Sequence, residues 1–504
     1  MVPDPIPKLS VGGTAIVPDA TSPLPVVSES EPPPTAGVAI GDEDGQRLQI
    51  PKVLPGADVS PMLIPAPDPT QSLEERRNRI AELFPGLDVA ESAALTEAGV
   101  MSLHQLQQLA VENSPVLRQA AADVERARGL SIQAGLMPNP AIGYQGDTIG
   151  TAASAGYNGV SFSQEFVTAD KLELATAAKR QEVVAVEQDL VRARIQLATS
   201  VRSGFFKVLI AQQELEYAKA LAQLSEESYQ AQIDRVASGE SAAYEPLQLR
   251  VNAAQAANAV VRTTNELNSA WRQLAAAMGQ PQLARHRLTG NLEASVASVS
   301  YDTAVAVLQR HSDLQAATAR IAGARAQLQY EEARATPNLM FGAVLQHDDT
   351  SPESDFSANL MLSSEFPVFN RNQGNIRAAH AGLVRAKEEY AAVQNRLLSE
   401  LAERYGRYET GRVVSASYRR DVVPDQVRVY RGVYNNFLID GRTVDFTEVT
   451  IAQQTLGNVV NAYISSLEAE WMSAVELAET LQVEDLMTMD GHAVAGTAGE
   501  ADSE

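Results

Sequence analysis

Ser363-Ser364-Glu365-Phe366-Pro367-Val368-Phe369-Asn370-Arg371-Asn372-Gln373-Gly374-Asn375 opens on a motif that the chain has used once before, as Ser163-Gln164-Glu165-Phe166. The offset is about 200 residues, and other landmarks keep to it: Leu267 and Trp271 return as Leu467 and Trp471, and Gly239 returns as Gly441. Those two tryptophans are the only ones in the chain. A tandem repeat of this size makes each half an incomplete architectural unit, so function is to be sought in the architecture.

Working outward, each half opens with a helix, Ser102 to Leu136 and Tyr301 to Ala335, with aliphatic residues at helical spacing. Ser114-Pro115 is placed to split off the opening turns of the first. Both helices stop at Pro-Asn, in Met137-Pro138-Asn139-Pro140 and Thr336-Pro337-Asn338-Leu339, where proline removes an amide and restricts the residue before it. Two strands follow in each half. Val160, Phe162 and Phe166 alternate with Ser161, Ser163 and Glu165, and Leu339, Phe341, Ala343 and Leu345 alternate with Met340, Gly342, Val344 and Gln346. Leu360, Leu362 and Phe366 repeat the pattern opposite Ser363 and Glu365. Strands of about 9 to 11 residues with one apolar face fit a tilted crossing of a bilayer, or a hairpin packed on helices in a soluble protein.

The stretch from Asp170 to Val236 has no proline and one glycine, Gly204, so it reads as a single helix of about 100 Å. Val201, Val208, Leu215, Ala222, Tyr229 and Val236 recur every seven residues, while Arg194 interrupts the row earlier, so a coiled-coil seam is expected over the second half only. A turn at Ser238-Gly239-Glu240-Ser241 leads into a return helix, Ala243 to Met278. The second half repeats this with Asn375 to Asp440, bent at Gly406 and Pro424, a turn at Gly441-Arg442-Thr443, and a return helix from Asp445 to Leu481. Return and opening helices of about 57 and 52 Å add up to the length of the long one, so the two would stack into a second rod beside it. Each chain then supplies four rods and four strands. Four strands cannot close a barrel, and a membrane reading therefore obliges the chain to oligomerise.

Alanine is abundant, aromatics are only 5%, and the formal charge is -23, which suits long helices and disfavours nucleic-acid partners. With no cysteine, disulfides, thiolate metal sites and a cysteine-borne lipid anchor are excluded. No run of 18 apolar residues exists, so no membrane-spanning helix is expected. The start Met1-Val2-Pro3-Asp4-Pro5 lacks the regions of a signal peptide, and export is expected to involve a processed or mis-assigned start. The expected division is a proline-rich disordered arm at 1–71, a linker with a short helix at 72–94, repeat 1 at 95–294, repeat 2 at 295–484, and an acidic disordered tail at 485–504.

From about Leu95 to Leu481 this plan, with Tyr229-x(9)-Gly239 and Tyr430-x(10)-Gly441 before the hairpin ends, resembles the TolC-like outer-membrane efflux proteins. The stretch Ser363 to Asn375 is similar to the P-L-F-x-R-N-Q-G signature of the cobalt/zinc/cadmium-efflux (CzcC-like) branch, as is Gly135 to Pro140. The resemblance implies a fold that is mainly α with a small β part: duplicated long α-helical hairpins plus four transmembrane β-strands per chain. It implies a homotrimer, with a periplasmic α-barrel of twelve rods and a 12-stranded β-barrel in outer-membrane lipid. Twelve rods about 10 Å apart enclose a lumen of about 28 Å. The implied role is a non-enzymatic exit duct, without cofactor, working with a periplasmic adaptor (membrane fusion protein) and an inner-membrane pump, with heavy-metal cations as cargo.

Asp445 and Glu448 lie three residues apart on one helix face and match the D-x-x-D position of the family's periplasmic constriction, with Arg442 beside them. Repeated around an axis they would attract cations; singly, Asp445 would cap the return helix. Gly239 and Gly441 mark the hairpin tips expected to meet the adaptor. His104, His286, His311, His347, His380 and His492 have no ligand spacing, and no metal site is expected. Tyr144, Tyr157, Phe162, Phe341, Phe356 and Phe369 are candidates for aromatic girdles or for packing. The alternatives are a non-channel coiled-coil structural or adaptor protein of the envelope, and a TolC-like duct for drugs or secreted proteins.

Overall fold

In a computed structural model the described residues are 55, 70–84, 98–150, 156–242, 244–294, 296, 298–350, 355–439, 446–483 and 486. The arm expected at 1–71 and the tail expected at 485–504 lie almost wholly outside them.

The helices are α1 (Leu73–Leu83), α2 (Leu103–Asn113), α3 (Pro115–Ala134), α4 (Lys171–Ser238), α5 (Glu245–Ala277), α6 (Tyr301–Leu308), α7 (Ser312–Ala333), α8 (Gln373–Ser417), α9 (Val423–Ile439) and α10 (Phe446–Leu481). The strands are β1 (Val100–Met101), β2 (Ala141–Asp147), β3 (Tyr157–Phe166), β4 (Arg287–Leu288), β5 (Leu339–Asp348) and β6 (Phe356–Ser364). α4 is the single long helix that the sequence requires, 68 residues and therefore about 100 Å. Its expected seam is buried at Val201, Val208, Leu215, Tyr229 and Val236, and Arg194 is exposed.

Three expectations need correction. The opening helix is broken in both repeats. In the first, Ser114 caps α3 and Pro115 occupies its first turn, as the dipeptide suggested. In the second the chain breaks at His311, whose ring accepts the Asp313 amide at 3.1 Å and so restarts the helix without any proline. The second long helix runs through Gly406 unbroken but carries a π turn at Tyr418–Val422, where the Val423 amide reaches back to the Tyr418 carbonyl. Pro424 explains the turn: it has no amide to donate and its ring crowds the carbonyl four residues earlier, and a wider turn relieves both. Finally, β2 has 7 residues, shorter than expected.

The rods form one layer. α3 lies along the first half of α4, with Arg128 on Glu187 at 2.7 Å, and α5 along the second half, where Leu274 sits against Gly204. On the other side of α4 come α7, through Arg192 and Asp313 at 2.9 Å, and α10, through Gln453 and Ser225 at 2.6 Å. Beyond these lies α8, tied by Asn372 to Glu331 of α7 and by Arg404 to Glu479 of α10. The order is α3 with α5, α4, α7 with α10, then α8 with α9. The main core lies where the rods meet the connector, the stretch between α5 and α6 that joins the two repeats, around Phe205, Trp271, Leu274, Leu401, Trp471 and Leu477. Both tryptophans donate to that connector, Trp271 to the Leu283 carbonyl and Trp471 to the Leu292 carbonyl, each at 3.1 Å. A short parallel ladder of β1 on β4, not anticipated, ties the start of repeat 1 to the same connector.

Candidate functional site

The four longer strands form one antiparallel sheet in the order β2-β3-β5-β6. The register decides its chemistry. Ile142 opposes Phe162, Phe162 opposes Ala343, and Ala343 opposes Leu360; Tyr144, Val160 and Leu345 form the next row. Strand alternation puts all of these on one face. They are left bare: Leu360 is 76% exposed, Ile142 75% and Leu362 72%. The opposite face is made mainly of polar and small residues, with Met340, Val344 and Met361 among them. There Gln346, 3% exposed, donates to Asp147 at 2.6 Å and accepts from Asn359 at 3.0 Å, and Gln145 donates to Asp147 at 3.1 Å. An apolar face over which none of the described helices packs, backed by a face whose buried polar groups bond one another, is the pattern of a strand wall between lipid and water. It removes the basis for a hairpin packed on helices.

Sheet and rods join through the repeated motif. Both long helices start from a left-handed residue, Asp170 at φ 54° and Asn372 at φ 59°. Asn tolerates that backbone, and the Asn372 side chain also donates to the Glu331 carbonyl at 2.7 Å, which accounts for the asparagine of the signature stretch. Asn338, in the second Pro-Asn break, donates to Glu165 of the first repeat at 2.7 Å, and Thr168 donates to the Pro337 carbonyl at 2.7 Å. The two halves are thus bonded to each other at the base of the sheet.

At the far end of the rods, Gly239 takes φ 83° and closes α4, the Glu240 amide reaching the Arg235 carbonyl at 2.9 Å and the Gly239 amide the Val236 carbonyl at 3.1 Å. Buried Gln232 donates to Ser241 at 2.9 Å and to Glu245, fixing the turn. Arg235 stacks on Phe437 of α9 at 4.3 Å and donates to its carbonyl at 3.0 Å, so the first hairpin end holds the second. Glu448 is exposed in the first turn of α10. Gly441, Arg442 and Asp445 lie outside the described residues. A short helix is expected within 72–94, but where it docks is not: α1 lies on this same end, where Ile80 and Phe84 cover Tyr229, Ile233 and Val236, and Arg77 pairs with Asp234 at 2.7 Å. Its capping box, Ser72 with Glu75, was a legible signal.

Among the described residues no helix is long and apolar enough to cross a membrane, and no cluster of His, Cys, Asp or Glu is suited to a metal ion. The profile of the outer membrane efflux protein family matches residues 106–280 and 304–421. The cobalt-zinc-cadmium resistance protein CzcC of Cupriavidus metallidurans is 24% identical over 413 residues, covering 80% of this chain and 97% of CzcC. Two solved structures share the fold. CusC, described in terms of transmembrane channel formation, matches with a TM-score of 0.64 at 18% identity over 78% of this chain and 95% of its own. The outer membrane protein VceC of Vibrio cholerae matches with a TM-score of 0.62 at 19% identity, over 75% and 95%.

Proposed function

Because the chain belongs to the outer membrane efflux protein family, whose members are transport ducts and not enzymes, we propose that three copies close into the exit duct of a tripartite efflux system that carries heavy-metal cations. One observation carries the reading. The sheet and the rod layer are open at the same two sides and run in the same sequence order, β2 with α3 and α5 at one side, β6 with α8 and α9 at the other. Such a piece is a sector of a ring. Its open strand edges cannot be left in lipid, where each unpaired amide and carbonyl costs several kcal/mol, so closure on further copies follows from the membrane placement. Three sectors make twelve strands and twelve rods.

Cations as cargo are supported by the likeness to CzcC and by the Ser363 to Asn375 signature stretch. The constriction is assigned to Asp445 and Glu448 with Arg442, and the docking of a periplasmic adaptor, itself joined to an inner-membrane pump, to the hairpin ends at Gly239 and Gly441. Exposed aromatic residues at the two ends of the sheet, Phe356 at one and Phe366 and Phe369 at the other, suit the two faces of the bilayer.

The test is planar-bilayer conductance of the purified protein with its oligomer mass measured in parallel. A trimer with cation-selective steps is expected. A monomer that does not insert would overturn the reading in favour of a coiled-coil adaptor.

A further inference from the structure

Three of the four strand junctions that a closed ring needs are visible within one chain, and the repeat allows the fourth to be written down. The Pro-Asn breaks are offset by 199 residues, Pro138-Asn139 to Pro337-Asn338, and the Ser-x-Glu-Phe motifs by 200. Advancing β2 by the first offset and β3 by the second turns the pair Ala141 with Ser163 into Met340 with Ser363. It likewise turns Asp147 with Tyr157 into Gln346 with Ser357. Both are observed pairs of β5 and β6. The two offsets, taken from the sequence, therefore reproduce the second hairpin's register with no slip.

The same operation applied to the junction between the repeats, β3 on β5, yields a junction of β6 on the β2 of another copy. Phe162 with Ala343 becomes Leu362 with Tyr144, Val160 with Leu345 becomes Leu360 with Gly146, and Glu165 with Met340 becomes Glu365 with Ala141. We propose that neighbouring copies pair β6 on β2 in this register, and that Asn139 of one copy donates to Glu365 of the next as Asn338 donates to Glu165 within the chain. The proposal rests on the oligomeric duct reading and adds to it which residues meet.

Three independent features agree with this register. Parity is preserved: Leu362 and Leu360 share the bare apolar face with Tyr144 and Gly146, while Asn359 falls opposite Asp147 on the polar face. The paired amide and carboxylate are half-buried in the junction within the chain, at Asn338 and Glu165, and exposed at the open edges, at Asn139 and Glu365. The short β2 matches the stretch of β6 and its flank from Asn359 to Glu365, so no residue of it is left over.

The chain has no cysteine, which makes the register measurable by oxidative cross-linking of the full-length protein in outer-membrane fractions. Tyr144→Cys with Leu362→Cys is expected to form chain dimers and trimers at least 5-fold more efficiently than the slipped control Tyr144→Cys with Leu360→Cys. Because β2 and β6 are opposite edges of one sheet, such products are between chains. A trimeric mass with the slipped pair favoured, or with neither pair linked, overturns the register and leaves the duct standing; a monomeric mass overturns both. For the amide contact, Asn139→Asp should lower the temperature at which the trimer dissociates on a gel, and Asn139→Asp with Glu365→Gln should restore it. No change in either variant would remove that contact.

Discussion

His311 and Asp313 show how single residues stabilise the meeting point of three rods. Asp313 is pulled two ways: burial works against its charge, while hydrogen bonds from Arg396 and Arg192 and the nearby His311 ring hold its pKa below the ordinary carboxylate value. Burial pushes His311 down, against the pull of Asp313, so the ring stays neutral and its Nδ1 is free to cap α7. Both groups have lower pKa values folded than unfolded, so both contributions are complete at high pH and erode on acidification. His311 goes first, as pH falls below about 6.5, and Asp313 follows as pH falls through its depressed value, below about 4. We expect His311→Asn, which retains a capping acceptor, to flatten the dependence of thermal stability between about pH 7 and 5. Asp313→Asn should cost about 1–3 kcal/mol, less than a fully buried pair because both arginines are half-exposed, and is read by thermal denaturation in detergent. Neither residue stood out in the sequence, since the contacts that perturb them come from α4 and α8.

The π turn at Tyr418–Val422 governs an element. It widens the helix just before Pro424 and places Arg419 against the Glu293 carbonyl of the connector at 2.8 Å and near buried Glu470 at 3.4 Å. It also sets the phase of α9, whose Tyr430 and Tyr434 stack and pack near Leu456 of α10. Deleting Arg420 alone should force an α-helical turn onto Pro424 and cost about 3 kcal/mol or more. The same deletion with Pro424→Ala should recover most of that loss, and circular dichroism melting separates the two. Pro424 was a visible signal for a bend, but whether a proline kinks, ends or widens a helix depends on what its neighbours pack against. Gly406, an equally visible signal, leaves the helix unbroken for the same reason.

At the scale of the whole molecule the bare sheet face is the decisive surface. Leu360→Arg sets a charge among lipid-facing residues and should cost about 2–4 kcal/mol near the bilayer midplane, seen as loss of heat-resistant trimer. Asp445→Ala with Glu448→Ala should raise single-channel conductance or weaken block by divalent cations; unchanged values would leave those carboxylates a capping role only.

The duplication, the length of α4, the strand alternation and the breaks at Pro-Asn were legible in the chain because each is a local property, written in residue type and spacing. The family signature was legible too, though the reason for its asparagine, a left-handed start to α8 that also satisfies Glu331, was not. Tertiary structure alone decided the order β2-β3-β5-β6, the docking of α1 on the first hairpin end and the burial of Asp313 between two arginines. These depend on which elements meet across some eighty residues or more, and local patterns limit such meetings without choosing among them.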